Sequence, residues 1–443
     1  MDEALRYLLS LGHETVAIKL GLRNIERLLD ALGQPQRDFP SVQIAGTNGK
    51  GSTAVVLERV CSAAGIKTGL YTSPHLISIT ERIRMNGLEI QPEDFARLIM
   101  LVRERAERLL AEGELATLPT FFEHVTAAAL VAFSEARVRL AILETGLGGR
   151  LDATTAARAR VVAITPVAID HQDYLGQSIL EIASEKAAII RPGVTAIIAP
   201  QSPEALEVIL KQCAASNVTP RLVQEETTKV LGAGETGRLR VRIETATDCY
   251  EDVRLGLRGR HQLTNVAVAV HLAEALRESG FDIPRAAIIE GIETAEHNGR
   301  LELWAGQPSI LFDGAHNGAG ARALRAYLDE FIAAPLTMIF GAMRDKHLAE
   351  IAATLFPAAS RLILTQPENP RAATPEELAG CVPHGIDSSR ITLAAASGEA
   401  VRLARQQTPP GGLILITGSL YLVGETQRTL REQAAQTRSS SEH

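Results

Sequence analysis

At 443 residues and 47.5 kDa the chain exceeds one ordinary hydrophobic core, so two or three domains are expected. A hydrophobic fraction of 46% beside 22% charged residues is that of a globular chain in water. A net charge of -7 and a pI near 5.9 argue against a general nucleic-acid binder, but not against anionic small molecules, which backbone donors bind locally.

The opening segment, Met1–Gly12, lacks the charged-then-apolar order of a signal peptide, and no apolar run approaches membrane length. Cys61, Cys213, Cys249 and Cys381 stand too far apart for a zinc or disulfide framework. The cytoplasm, with no membrane partner, is the expectation. Ser41–Ala45 reads as a buried strand that leads through a glycine-rich turn into a helix ending near Ala64. Leu140–Glu144, Val161–Thr165 and Val194–Ala199 read as further buried strands, and runs of this kind suit a parallel sheet covered on both faces. Between Thr219 and Leu257 the pattern changes, and Leu239–Ile243 and Val253–Leu257 resemble meander or edge strands. A second α/β series follows at Ser309–Asp313, Leu336–Phe340, Arg361–Thr365 and Leu413–Thr417. The boundary falls at Ala295–Arg300, dividing 1–296 from 297–436, and the polar stretch 437–443 is expected to be disordered. There is no internal repeat.

The strongest local pattern is Gly46-Thr47-Asn48-Gly49-Lys50-Gly51-Ser52-Thr53, between strand and helix. Its glycines let successive N–H groups turn toward phosphate oxygens, and the helix N-terminus adds a favourable field. Lys50 is placed for β- and γ-phosphates, and Ser52 or Thr53 for magnesium or phosphate. The match to a general P-loop is imperfect: position 44 is not glycine, and Gly51 separates Lys50 from the hydroxyl.

Other candidates carry two readings each. Ser73, before Pro74, is pushed out of helix and by itself reads as a turn. Glu144 ends a strand where open α/β sheets place ligands, although a plain strand-end charge reads the same way. His171 follows another strand in a polar cluster, as a general base, a ligand or a satisfied turn; magnesium prefers oxygen. On a helix expected over Ile179–Ile190, Lys186 shares a face with Ile182, Ala183, Ile189 and Ile190. Burial there disfavours the ammonium, and the neutral amine is the form that adds carbon dioxide as a carbamate; a snorkelling stem is the alternative. Thr264 or Asn265 could cap the apolar helix beginning at Val266, and Asp313 and His316 could simply shape a turn.

Thr47-Asn48-Gly49-Lys50-Gly51-Ser52 resembles the loop of the folylpolyglutamate synthase/dihydrofolate synthase family, within the Mur ligase superfamily. Later segments, from Leu20-Gly21-Leu22 to Gly418-Ser419-Leu420-Tyr421, match in the same order over nearly the whole chain. The resemblance implies an α/β fold: an N-terminal P-loop ATPase domain with a mainly parallel sheet plus a smaller β element, then a C-terminal Rossmann-like α/β domain. It implies ATP contacts at Gly49, Lys50, Gly51, Ser52, Asn265, Arg300 and Asp313. It places magnesium, as two ions, on Ser73, Glu144, His171 and a carboxylated Lys186, with catalytic roles for Lys50, Lys186 and His316. The pterin carrier is expected near Gly21, Leu22, Thr120, Phe121, Phe122, Glu123, Leu151, Asp152 and Ala153, although a core position suits one of the two rings equally well.

The chain departs from the family pattern at Gln172, where threonine is usual, and at Asn298 and Gly318, where proline is usual. The implied activity is ATP-dependent joining of L-glutamate to a folate, and to dihydropteroate, through an acyl phosphate on a monomeric enzyme. Two rivals stand. Another Mur-type ligase, acting on a cell-wall precursor, is disfavoured by the Gly49–Ser52 loop and the Lys19–Leu22 segment. A small-molecule kinase would release ADP without glutamate. A non-catalytic nucleotide-binding regulator fits poorly with Glu144, His171 and Lys186.

Overall fold

The computed structural model describes residues 1–12 and 21–441; Lys19 and Leu20 of the Lys19–Leu22 segment lie outside them. Ser41–Ala45 is buried at every position, as a central strand with helices on both faces must be. It lies between Leu140–Glu144 and Val161–Ile164, parallel to both. Around this centre runs an eight-stranded sheet in the order Leu88–Glu89, Ile83–Met85, Thr68–Tyr71, Leu140–Glu144, Ser41–Ala45, Val161–Ile164, Thr195–Ile198, Arg221–Leu222. The first two strands are antiparallel, and the other six are parallel.

The two-residue period of the strands sorts the core. Leu140 and Ile142 face the helices Lys50–Ala63 and Gln262–Glu278, whereas Ala141 and Leu143 face Pro92–Ala111 and Phe121–Glu135. A separate three-stranded antiparallel sheet, Thr228–Ala233, Arg238–Glu244 and Cys249–Arg258, feeds Leu239, Val241, Ile243, Tyr250 and Val253 into the first of these cores. Only its last two strands were expected. Thr228–Ala233 alternates half-buried and exposed residues, too weak a pattern to read.

The second α/β series forms a six-stranded sheet in the order Glu302–Trp304, Ser309–Asp313, Leu413–Thr417, Leu336–Phe340, Arg361–Thr365, Ile391–Ala394. It is parallel apart from the first strand. Two local expectations change. The helix expected over Ile179–Ile190 ends at Ala187, because Pro192 forces the preceding backbone out of helix; Ile189 and Ile190 stay buried. The helix after the hinge starts at Gln262, and neither Thr264 nor Asn265 caps it. The terminal helix spans Leu420–Ser441, and 442 and 443 are not described. No helix among the described residues is long and apolar enough to cross a membrane.

Candidate active site

The carboxyl ends of the three central strands converge where the chain leaves Ser41–Ala45 in one direction and returns on its other side. Ligands collect at such switch points. A cavity of about 560 Å³ opens there, and loops from the six-stranded sheet form its far wall.

The glycine-rich turn is held by its own backbone. The Thr47 and Asn48 N–H groups both donate to Pro166 O, at 3.0 and 3.2 Å. Gly49 has φ +87°, which favours glycine, and a Cβ there would run into the Asn265 amide. No side chain caps the helix Lys50–Ala63, which leaves the N–H groups of its first turn turned to the cavity. Lys50 Nζ folds back to donate to Thr47 O at 3.2 Å.

Most carboxylates lining the cavity are already engaged. Asp152 accepts from Leu147 N–H and Thr154 N–H, at 2.9 and 3.0 Å. Asp313 accepts from Leu301 N–H and Ala315 N–H, both at 3.0 Å, so it pins the hinge to the first strand of the second sheet. Glu123 closes a capping box with Thr120. Glu81 accepts from the N–H groups of Leu76, Ile77 and Ser78. Glu144 differs: its one hydrogen bond among the described residues comes from Ser73 N–H, at 3.2 Å. Burial pushes its carboxyl up, against the pull of Lys50, Ser73 N–H, Arg300 and Arg82. It is a buried acceptor with spare capacity beside the phosphate loop.

Lys186 is buried and donates Nζ to Gly46 O at 2.8 Å. Burial, then the nearby Lys50, lower it to about 7, which makes much of it neutral amine at neutral pH. The snorkelling alternative is therefore set aside: its ammonium faces the loop, not solvent. His171, with φ +52°, is lowered to about 3 by burial, with Lys346, His316 and Lys50 adding to the effect, and is neutral.

The two lobes meet around Asp170, just before His171. Lys346 Nζ donates to Asp170 Oδ1 at 2.7 Å, and Asn317 Nδ2 to Asp170 Oδ2 at 3.0 Å. Asn317 Nδ2 also reaches Asn48 Oδ1 in the phosphate loop, at 3.1 Å, and His316 Nε2 lies 3.7 Å from Asp170 Oδ2. Burial opposes ionisation of Asp170, but His316, His171 and Lys346 outweigh it and hold the carboxyl well below its usual range.

The cavity brings together Gly21, Gly49, Lys50, Gly51, Ser52, Ser73, Thr120, Phe122, Glu123, Glu144, Leu151, Asp152, Ala153, His171, Lys186, Asn265, Arg300, Asp313 and His316. Leu22 and Phe121 do not line it; they pack on the core below, where Phe121 lies under the Arg82 guanidinium. Phe122 faces the cavity against Gly146, whose hydrogen leaves room for the ring. Reading the sequence missed Asp170, His297, Asn317 and Lys346. Asp170 and Asn317 are the chain neighbours of His171 and His316, whereas His297 and Lys346 adjoin no residue assigned a role from the sequence.

The donors suit a divalent cation shared with phosphate. Among the described residues no three His, Cys, Asp or Glu side chains form a ready metal cage. Magnesium does not need one, because it keeps water and phosphate oxygens and takes one or two carboxylates. Glu144, with acceptor capacity to spare, beside Ser73, meets that requirement.

Residues 44–273 match the Mur ligase middle domain and residues 299–420 the Mur ligase glutamate ligase domain, so the fold is that of an ATP-dependent ligase of the Mur class. The chain is 32% identical to the dihydrofolate synthase/folylpolyglutamate synthase of Bacillus subtilis, over 95% of this chain and 97% of that one. It is 34% identical to a probable bifunctional folylpolyglutamate synthase/dihydropteroate synthase of Haloferax volcanii, over 96% of this chain but only 50% of that longer protein. Mycobacterium tuberculosis folylpolyglutamate synthase complexed with ADP superposes with a TM-score of 0.89 at 32% identity, covering 97% of this chain and 98% of that one. A bifunctional folylpolyglutamate synthase/dihydrofolate synthase with Mn, AMPPNP and L-glutamate bound superposes with a TM-score of 0.83 at 27% identity, covering 96% and 97%. This chain belongs to the folylpolyglutamate synthase/dihydrofolate synthase family.

Proposed function

We propose that this protein joins L-glutamate to a reduced folate, and to dihydropteroate, at the expense of ATP, as a cytoplasmic monomer. The observation that carries this reading is the convergence of the phosphate loop, the under-coordinated Glu144 and the buried Lys186, lowered to about 7, on one cavity between two lobes. In this reading residues 1–296 supply the nucleotide and pterin surfaces, and 297–436 close over them. Gly49, Lys50, Gly51 and Ser52 take the triphosphate, and Asn265, Arg300 and Asp313 face its nucleoside side. Phe122, with Gly21, Thr120 and the loop Leu151–Ala153, offers the pterin a flat apolar wall. Ser73, Glu144, His171 and Lys186 as its carbamate would hold magnesium, as two ions. The metal would supply charge neutralisation at the transferring phosphoryl group.

Lys50 stabilises the same developing charge from the loop. The substrate carboxylate oxygen attacks the γ-phosphorus and ADP leaves, giving an acyl phosphate. The glutamate amine then adds to the acyl carbon, loses its proton and expels phosphate. His316, held by its Nδ1 contact to Gly314 O at 2.8 Å with Nε2 toward Asp170, lies on the side from which the amino acid would enter. Closure of the lobes excludes water from the acyl phosphate.

The test incubates the protein with ATP, magnesium and glutamate, plus either dihydropteroate or tetrahydrofolate, and weighs the products. A mass gain of one or more glutamyl units is expected with each acceptor. ADP released equally without glutamate, with a stable phosphorylated product, would replace the ligase reading with a kinase.

A further inference from the structure

His297 lies in the connection between the helix Arg285–Thr294 and the strand Glu302–Trp304, outside every role assigned above. Its Nδ1 is 3.1 Å from Ser52 Oγ, in the first turn of the phosphate-loop helix. Its ring edge also sits directly over the next residue: a Cβ on Gly51 would lie 2.8 Å from His297 Cε1 and 3.2 Å from Nε2. On its other side, His297 O accepts from Arg300 N–H at 3.3 Å, and Gly299 N–H is held by Glu302 at 2.7 Å. One imidazole therefore touches the phosphate loop while its own backbone belongs to the turn that carries Arg300 into the same cavity.

We infer that His297 is a positioning residue for the phosphate loop: neutral, with its proton on Nε2, it accepts the Ser52 hydroxyl hydrogen at Nδ1 and turns the Ser52 lone pairs toward the phosphate and its cation. A serine hydroxyl has one hydrogen and two acceptor lone pairs. Giving the hydrogen to the hinge leaves both lone pairs available to a cation, whereas a hydroxyl with no such acceptor spends its hydrogen on phosphate or water and presents a poorer face. Any displacement of the hinge would break the contact, so the link also ties the loop's readiness to the placing of the second lobe. This inference rests on the nucleotide reading given above.

The test compares His297→Phe, which keeps a ring without an acceptor, with His297→Asn, whose side-chain oxygen can stand in for Nδ1. Dissociation constants for AMPPNP are measured with and without magnesium, beside kcat and KM for ATP. The phenylalanine variant is expected to lose about fivefold in magnesium-dependent affinity, the worth of one ordinary hydrogen bond, with little change in the magnesium-free constant. The asparagine variant should recover most of that loss. Equal magnesium-dependent affinity in wild type and His297→Phe overturns the inference, as does an asparagine variant no better than phenylalanine. Nitrogen-15 shifts of wild-type His297 give an independent reading that does not depend on either variant folding: Nδ1 unprotonated and Nε2 protonated supports it, and the reverse overturns it. Wild-type protein that binds no nucleotide would instead sink the proposed function.

Discussion

Replacing Lys186 with methionine removes a buried amine while keeping the length of the stem, and the stability consequence has a definite sign. The amine is lowered from its ordinary 10.5 to about 7, chiefly by burial and then by Lys50. Below pH 7 both folded and unfolded chains carry the proton, and the folded protein bears the full cost of a buried ammonium, about 5 kcal/mol. Between pH 7 and 10.5 the unfolded chain still binds the proton while the folded chain has released it, so stability rises with pH across that window. Between pH 7 and 9 the gain is about 2 kcal/mol, allowing for half protonation at the lower limit. The methionine variant lacks this titration, and other groups cancel in the difference between the two proteins. Urea unfolding of metal-free, bicarbonate-free protein at pH 7 and pH 9 measures it: wild type should gain on Lys186→Met by that amount. A difference that stays constant with pH would mean that Lys186 is not a desolvated amine, and would remove the physical ground for a carbamate. Adding bicarbonate should flatten the same difference, because a carbamate no longer titrates as an amine.

Glu144→Gln should slow turnover by more than about a hundredfold, while raising the unfolding temperature of the metal-free protein. The folded carboxyl is raised, so its ionised form costs stability above the unfolded pKa, and an amide relieves that cost; a lower unfolding temperature contradicts this. Phe121→Ala should cost about 3–5 kcal/mol of stability, whereas Phe122→Ala should raise KM for the pterin substrate several-fold with little loss of stability, and a reversal of the two outcomes refutes the assignment of the rings. Lys346→Met strands the buried Asp170 carboxylate and should destabilise by about 3 kcal/mol or more. Asp170→Asn in the same chain should recover part of that loss, and strictly additive losses would show that the pair is not coupled.

The parallel strands were legible because a strand buried on both faces is mostly apolar along its length, as Leu140–Leu143 and Leu413–Ile416 show before the polar strand ends Glu144 and Thr417. Edge elements were not: Leu88–Glu89 is exposed at both positions, so nothing in its hydropathy marks it. The glycines of 46–51 and the strand-end position of Glu144 marked in the sequence two walls of the cavity that the fold forms. The residues that cross between lobes carried no comparable mark. Asp170 and Lys346 are 176 positions apart, and each alone reads as an ordinary surface charge. A longer separation, 245 positions, hid His297, which looked like part of a boundary until the fold placed it on Ser52. Phe121 and Phe122 show a third limit. Adjacent residues on a helix point about 100° apart, so one ring enters the core and the other the cavity, and only the register of the helix decides which.

Three of the residues that cross between the lobes at the cavity lie within one to three positions of residues assigned to chemistry. Asn317 follows His316 and bonds both Asn48 and Asp170, and Asp170 precedes His171. His297 begins the turn that ends in Arg300. A backbone of fixed bond lengths transmits position over one to three residues with little slack. Separating the lobes would thus pull His316 and Arg300 out of the cavity together, and release Asn48 and Ser52 in the loop at the same time. Other bonds between the lobes, such as Arg260 to Glu330 and Tyr327 Oη to Thr236 O, lie away from the cavity, so the lobes are held by surface pairs as well as by the contacts that set Asn48 and Ser52 in place.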